Sequence, residues 1–176
     1  MYKTGRYAIL FVVLLLLQIL LFDNLNISIY LYPIAYLAFF VLLPMNINSF
    51  ALLMLGLATG VMMDFFTGMN GVHTITTLAT AFFRPLMLNL TVGKDTVMAD
   101  GVPIPREIGR AKWFRYAALL VGFHCLLFFL FEALTFRYLG FTLLRALGSA
   151  VVTFLFVWLL AVLYPADSGT GNIRRP

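Results

Sequence analysis

Residues 141–164 read FTLLRALGSAVVTFLFVWLLAVLY, with one charge, Arg145, near the start. As a helix this stretch is about 36 Å long at about 1.5 Å per residue. About 20 apolar residues suffice to cross the hydrocarbon of a bilayer. The segment is therefore read as a transmembrane helix, and the rest of the chain repeats the pattern. Hydrophobic residues make up 62% of the 176 and charged residues only 11%. A soluble domain carries about 25% charged residues, because its surface needs polar cover. Composition thus excludes an ordinary water-soluble enzyme.

Working back from this helix, the sequence predicts five more. The first covers about Tyr7–Phe22. The second covers about Ile27–Leu43, with Pro33 near its start, where proline costs least. The third covers about Ser49–Phe66 and the fourth about Val72–Leu90, with the two glycines of Thr67–Gly71 forming a tight turn between them. Thr91–Lys112 is the one long polar stretch, with a turn at Asp100-Gly101 and with Pro103 and Pro105 opposing regular helix. The fifth helix covers about Trp113–Leu134, and a link over 136–140 leads to the last, Phe141–Tyr164. Residues 1–164 form one six-helix transmembrane domain, and 165–176 read as a flexible tail. Lys3 and Arg6 before an apolar run imitate a signal peptide, but no small-residue cleavage site follows, so the run reads as a retained helix.

Ten of the twelve Lys and Arg fall at the N-terminus, in or beside the 91–112 loop, or in the tail; only Arg137 and Arg145 fall opposite. The positive-inside rule then places both termini and that loop in the cytoplasm. Tyr7, Trp113, Tyr116 and Tyr164 would mark the inner boundary, and Tyr30, Tyr32, Phe136 and Tyr138 the outer. The net charge of +5 belongs to this pattern and does not indicate nucleic acid. Cys125 is a single cysteine, which excludes an internal disulfide, and it reads as a buried thiol.

The polar residues inside the helices are few. Gly56 and Gly60 share a face that Asp64 and Gly68 continue at four-residue spacing. Such a face allows close helix approach, either within the chain or against a partner protein. His73, across the turn, is positioned to pair with Asp64. Arg84, ahead of Pro85, reads as an anchor reaching toward lipid phosphates. His124 lies deepest and reads as a neutral, internally bonded histidine. Glu132 and Arg145 fall at similar depth on neighbouring helices and predict an ion pair. Ala146, Ser149, Ala150 and Thr153 make a second small-residue face. No nucleophile motif, metal-ligand spacing, carboxylate pair or phosphate-cradling loop is present. No catalytic residue, cofactor or metal is expected.

Taken in order, GLATGVMMDFFTGMNGVH at 56–73, Gln18, Arg84-Pro85, DGVPIP at 100–105, Tyr116, His124, LFFLFE ending at Glu132, and Leu144-Arg145 with Ser149 and Thr153 resemble the rod shape-determining protein MreD family. The resemblance covers most of the chain except the tail. It implies a non-catalytic component of the bacterial cytoplasmic (inner) membrane that associates with the bitopic protein MreC. In that family the assembly links cytoplasmic MreB filaments to wall synthesis by a glycosyltransferase and a penicillin-binding transpeptidase. It also implies a fold similar to the six-helix substrate-binding subunits of energy-coupling-factor transporters. A small-molecule uptake subunit is therefore the alternative. Those subunits carry an Ala-x-x-x-Ala pattern on the first helix, where this chain has bulky Val and Leu. Membrane lipid is expected around either.

Overall fold

A computed structural model of the protein describes residues 2–22, 31–98, 101–134 and 139–164. The chain is all-α over these residues. Helix α1 (Tyr2–Leu17) runs into a π-helical turn, Gln18–Phe22. A short α2 (Leu37–Leu42) is followed by α3 (Ser49–Thr67) and α4 (Val72–Thr91). The polar stretch holds two further short helices, α5 (Lys94–Met98) and α6 (Pro105–Ile108). The last two are α7 (Arg110–Ala133) and α8 (Leu139–Leu163). Helices α3, α7 and α8 are each long and apolar enough to cross a membrane, which marks an all-α membrane protein.

Two of the long helices expose apolar faces that a soluble bundle would bury. On α3 the exposed stripe is Phe50, Met54, Leu57, Val61 and Phe65, while Leu52, Gly56, Thr59, Gly60 and Met63 are buried. On α8 the exposed side carries Leu147, Val151, Leu155 and Leu159, and the buried side Thr142, Ala146, Ser149 and Thr153. On these two helices most large apolar groups face outward and the inward face is mostly small or polar, while the large buried side chains come from the Ile34–Leu43 segment and from α7. In lipid the outer face costs nothing, and small inner residues let backbones approach.

Helices α3 and α4 form a hairpin. Asn48 Oδ1 accepts from Phe50 N at 2.8 Å and caps the start of α3. Gly68 (φ 70°) ends it in the left-handed region, and Gly71 (φ 89°) opens α4. Gly68 is therefore a helix stop with open space around it, not a continuation of the close-packing face. Gly56 and Gly60 carry that face, and α4 fills it. A Cβ on Gly60 would lie 2.4 Å from Thr74 Cα and 2.9 Å from His73 O; one on Gly56 would lie 2.9 Å from Ala81 Cβ. Helix α4 also packs on α7, and α7 on α8.

The second expected helix is where the fold departs from the sequence reading. Of Ile27–Leu43, residues 27–30 lie outside the described residues, 31–36 are not helical, and only Leu37–Leu42 is. Six helical residues span about 9 Å, far short of a bilayer. Pro33 has no N–H and pushes Tyr32 away from helical angles. Donors and acceptors from neighbouring elements then take the place of helical hydrogen bonds. Ile34 through Leu43 are all buried, so this broken segment is the core around which α1, α4, α7 and α8 are arranged.

The polar stretch is folded onto the same core. Met45 N donates to Gly101 O at 2.9 Å, and Val102 N to Glu107 Oε2 at 3.1 Å. Val102, Ile104 and Ile108 are buried. Trp113 and Tyr116 are fully buried too and do not mark a membrane boundary. Arg6 lies 5.6 Å over the Tyr164 ring, so the start of α1 and the end of α8 share one end of the molecule. The expected tail, Tyr30, Phe136, Arg137, Tyr138 and the Asp100 half of the Asp-Gly turn lie outside the described residues.

The glycine contacts give a paired prediction. Gly60→Ala should destabilise the protein by about 1–3 kcal/mol through overpacking against backbone. Gly122→Ala, where a Cβ meets nothing within 4 Å, should be neutral or stabilising by up to about 1 kcal/mol. Thermal unfolding in detergent reads both; equal effects would refute the close α3–α4 contact.

Candidate functional site

A non-helical backbone within a membrane protein needs partners for its N–H and C=O groups, because lipid offers none. The broken segment finds them in side chains from four directions. Gln18, at the start of the π turn, accepts from Ala35 N at 2.6 Å and donates to Pro33 O at 3.2 Å. From α8, Ser149 Oγ accepts from Tyr32 N at 2.9 Å and Thr153 Oγ1 from Ile34 N at 3.0 Å. These are the residues a small-residue face would supply, used here as hydrogen-bond acceptors.

At the other end of the segment stands Arg84, fully buried on α4. Its Nε donates to Phe40 O at 2.7 Å and to Tyr116 Oη at 3.0 Å, and its Nη atoms donate to Leu43 O and to Pro44 O, the latter at 3.3 Å. The expected reach toward lipid phosphates is not what the side chain does. The last carbonyls of a helix have no intrahelical partner and carry the negative end of its dipole. Arg84 therefore acts as the cap of α2, and it has no carboxylate partner among the described residues. A planar guanidinium reaches several carbonyls at once, which an ammonium does less well.

Asp64 does the converse job for α4. The helix begins after glycine, with no side-chain cap of its own. Asp64 reaches across the turn, accepting from His73 N at 2.9 Å and from Thr74 N at 2.9 Å, and its Oδ2 also accepts from the Thr74 hydroxyl. A carboxylate at a helix N-terminus satisfies orphan N–H groups and meets the positive end of the dipole. Asp64 thus bonds the backbone of His73, not its imidazole as expected.

The imidazole of His73 turns inward to Tyr36. Tyr36 Oη lies 3.0 Å from His73 Nδ1 and 3.1 Å from His124 Nε2, and His124 Nδ1 lies 2.9 Å from Thr80 Oγ1. The proton order along this chain follows from one end. The Thr80 hydroxyl donates to Thr76 O at 2.7 Å, so a neutral His124 donates from Nδ1 and accepts at Nε2. Tyr36 then donates to His124 and accepts from His73 Nδ1. All these side chains are buried. The chain ties α4 and α7 to the broken segment and places two imidazoles, a phenol and the Thr80 hydroxyl together in the core.

Glu132 and Arg145 meet at the other end of the α7–α8 pair. Arg145 Nη2 lies 3.1 Å from Glu132 Oε1, with side chains 25% and 27% exposed, and its guanidinium carbon lies 4.8 Å over the Phe129 ring. This pair is separate from the central network.

Sequence reasoning missed Tyr36, Thr80 and the hydrogen-bonding role of Ser149 and Thr153. The cluster of threonines on α4 was the signal for Thr80 and the small-residue face of α8 that for Ser149 and Thr153, while Tyr36 carried none. No family model, curated protein or solved structure matches this chain.

Two predictions follow from the geometry. Arg84→Met leaves the buried carbonyls of Phe40 and Leu43 and the half-buried one of Pro44 without the Arg84 donor, and should cost about 3 kcal/mol or more, since bonds to charged groups are worth about 1.5–3 kcal/mol each; Arg84→Lys should recover only part. Unfolding midpoints in detergent test this, and an Arg84→Met variant as stable as the parent would contradict it. Charge reversal at Glu132 alone or Arg145 alone should destabilise, and the double reversal should restore stability. A double variant no better than either single would rule out a working pair.

Proposed function

We propose that the protein is a non-catalytic scaffold of the bacterial cell-elongation machinery, a member of the MreD family. In this reading it binds MreC and helps couple MreB filaments to peptidoglycan synthesis by a glycosyltransferase and a penicillin-binding transpeptidase. In this reading it crosses the cytoplasmic membrane six times with both termini inside, the second pass made by the broken segment rather than by a continuous helix, on a fold like the substrate-binding subunits of energy-coupling-factor transporters.

The observation that carries the reading is that the 56–73 motif behaves as one mechanical unit. Gly56 and Gly60 admit α4, Gly68 and Gly71 make the turn, Asp64 caps α4, and His73 joins the central network. Each of these six residues has a part in forming the hairpin or in tying it to the core. A rigid hairpin is what a docking platform needs, since partners recognise a surface that does not have to be ordered on binding. The absence of nucleophile and metal motifs in the sequence points the same way.

One observation favours the small-molecule alternative: unwound segments line binding sites in many transporters. Here the unwound backbone at 31–36 is bonded to Gln18, Ser149 and Thr153 of its own chain, which leaves less of it to hold a ligand.

Affinity purification of the tagged protein from mild-detergent membranes, with mass spectrometry of what co-purifies, decides between the two. The scaffold reading predicts MreC and the wall-synthesis enzymes. An ATPase with its coupling subunit in their place would contradict it.

A further inference from the structure

Arg106 lies in α6 and Arg110 opens α7, on either side of the Gly109 that separates the two helices. Both are exposed, and neither has a hydrogen-bond or ion-pair partner among the described residues. Together with Pro105, Ala161 and Val162 they line a cavity of about 390 Å³ against the last turns of α8. This falls within the range of about 300–1,000 Å³ typical of ligand clefts. Glu107, between the two arginines in sequence, turns its Oε2 to Val102 N and does not line the cavity. One wall of the cavity is thus doubly cationic and the other apolar. The apolar wall continues along α8 as an exposed stripe, Val162, Leu159, Trp158 and Leu155, at three- and four-residue spacing.

We propose that this cavity seats the headgroup of an anionic phospholipid: Arg106 and Arg110 hold the phosphate, and an acyl chain lies along Val162, Leu159 and Leu155. A free phosphate ion would gain from the two guanidinium groups but not from the apolar wall. A zwitterionic lipid would gain from the wall but would bring its own cation to the arginines. An anionic lipid matches both, and its phosphate would stand at the depth where a helix of this length leaves the hydrocarbon. Basic clusters beside the end of a membrane helix attract anionic lipid at about 1 kcal/mol per residue. The site is independent of the central network and of the scaffold reading.

The test uses the whole protein in nanodiscs of phosphatidylcholine doped with phosphatidylglycerol, with retained lipid counted by native mass spectrometry. The parent should retain phosphatidylglycerol over phosphatidylcholine. Arg106→Gln with Arg110→Gln should weaken this about thirty-fold, the equivalent of about 1 kcal/mol for each arginine. Arg106→Lys with Arg110→Lys should keep most of it, which controls for folding. Excess inorganic phosphate should not displace the lipid. Retention unchanged in the Gln variant would overturn the proposal. So would equal loss in Arg115→Gln, which removes a charge from another side of α7, or displacement by inorganic phosphate, which would mark a soluble-anion site.

Discussion

A backbone that leaves the helix inside a membrane has to be hydrogen-bonded by the protein itself, and the rest of this structure is arranged around that demand. The segment from Leu31 to Leu43 is buried from Pro33 onward, partly unwound and surrounded by α1, α4, α7 and α8. Each of those elements contributes a polar group to it: Gln18 from the end of α1, Arg84 from α4, Tyr116 and His124 from α7, Ser149 and Thr153 from α8. Polar side chains are expensive in lipid. Here most of them offset a larger cost, that of unsatisfied peptide groups. The network also gives the bundle a specific arrangement that apolar packing alone, with lipid as apolar as leucine, would define weakly.

Two charged residues follow the same logic at helix ends. Asp64 sits at the N-terminus of α4, bonded to free N–H groups, and Arg84 sits at the C-terminus of α2, bonded to free carbonyls. Each meets the end of a helix dipole of opposite sign. Neither needs a charged partner, and the sequence distance between them is no guide to their roles. The polar network is embedded in a core of large apolar side chains such as Phe40, Phe128 and Phe129, and α3 and α8 turn further apolar side chains outward. The close α3–α4 approach at Gly60 leaves no room for a methyl group.

Much of this was legible in the sequence. Long apolar runs defined α3, α4, α7 and α8 to within a few residues, because spanning length and composition leave few alternatives. The Glu132–Arg145 geometry was legible because depth along two neighbouring helices can be counted from their shared turn. The broken segment was not. Ile27–Leu43 is as apolar as its neighbours, and the difference between a helix and an unwound strand of side-chain-bonded backbone lies in residues 100 or more positions away, such as Ser149 and Thr153. For the same reason Arg84 read as a lipid anchor and His73 as the partner of Asp64: periodicity gives the face of a helix, but not what fills the space beyond it. Tyr36 stood unnoticed because nothing local distinguishes it from a boundary tyrosine.

The central claim is that side chains from distant helices hold the unwound segment in place, and amide hydrogen exchange tests it most directly. In nanodiscs, peptides covering residues 31–43 would be compared between the parent protein and a variant carrying Gln18→Leu and Ser149→Ala. The account predicts faster exchange at 31–36 in the variant, with α3 and the α3–α4 turn unchanged, because only the donors and acceptors of that segment have been removed. Exchange at 31–36 identical in the two proteins would mean that the backbone is held by something other than these side chains.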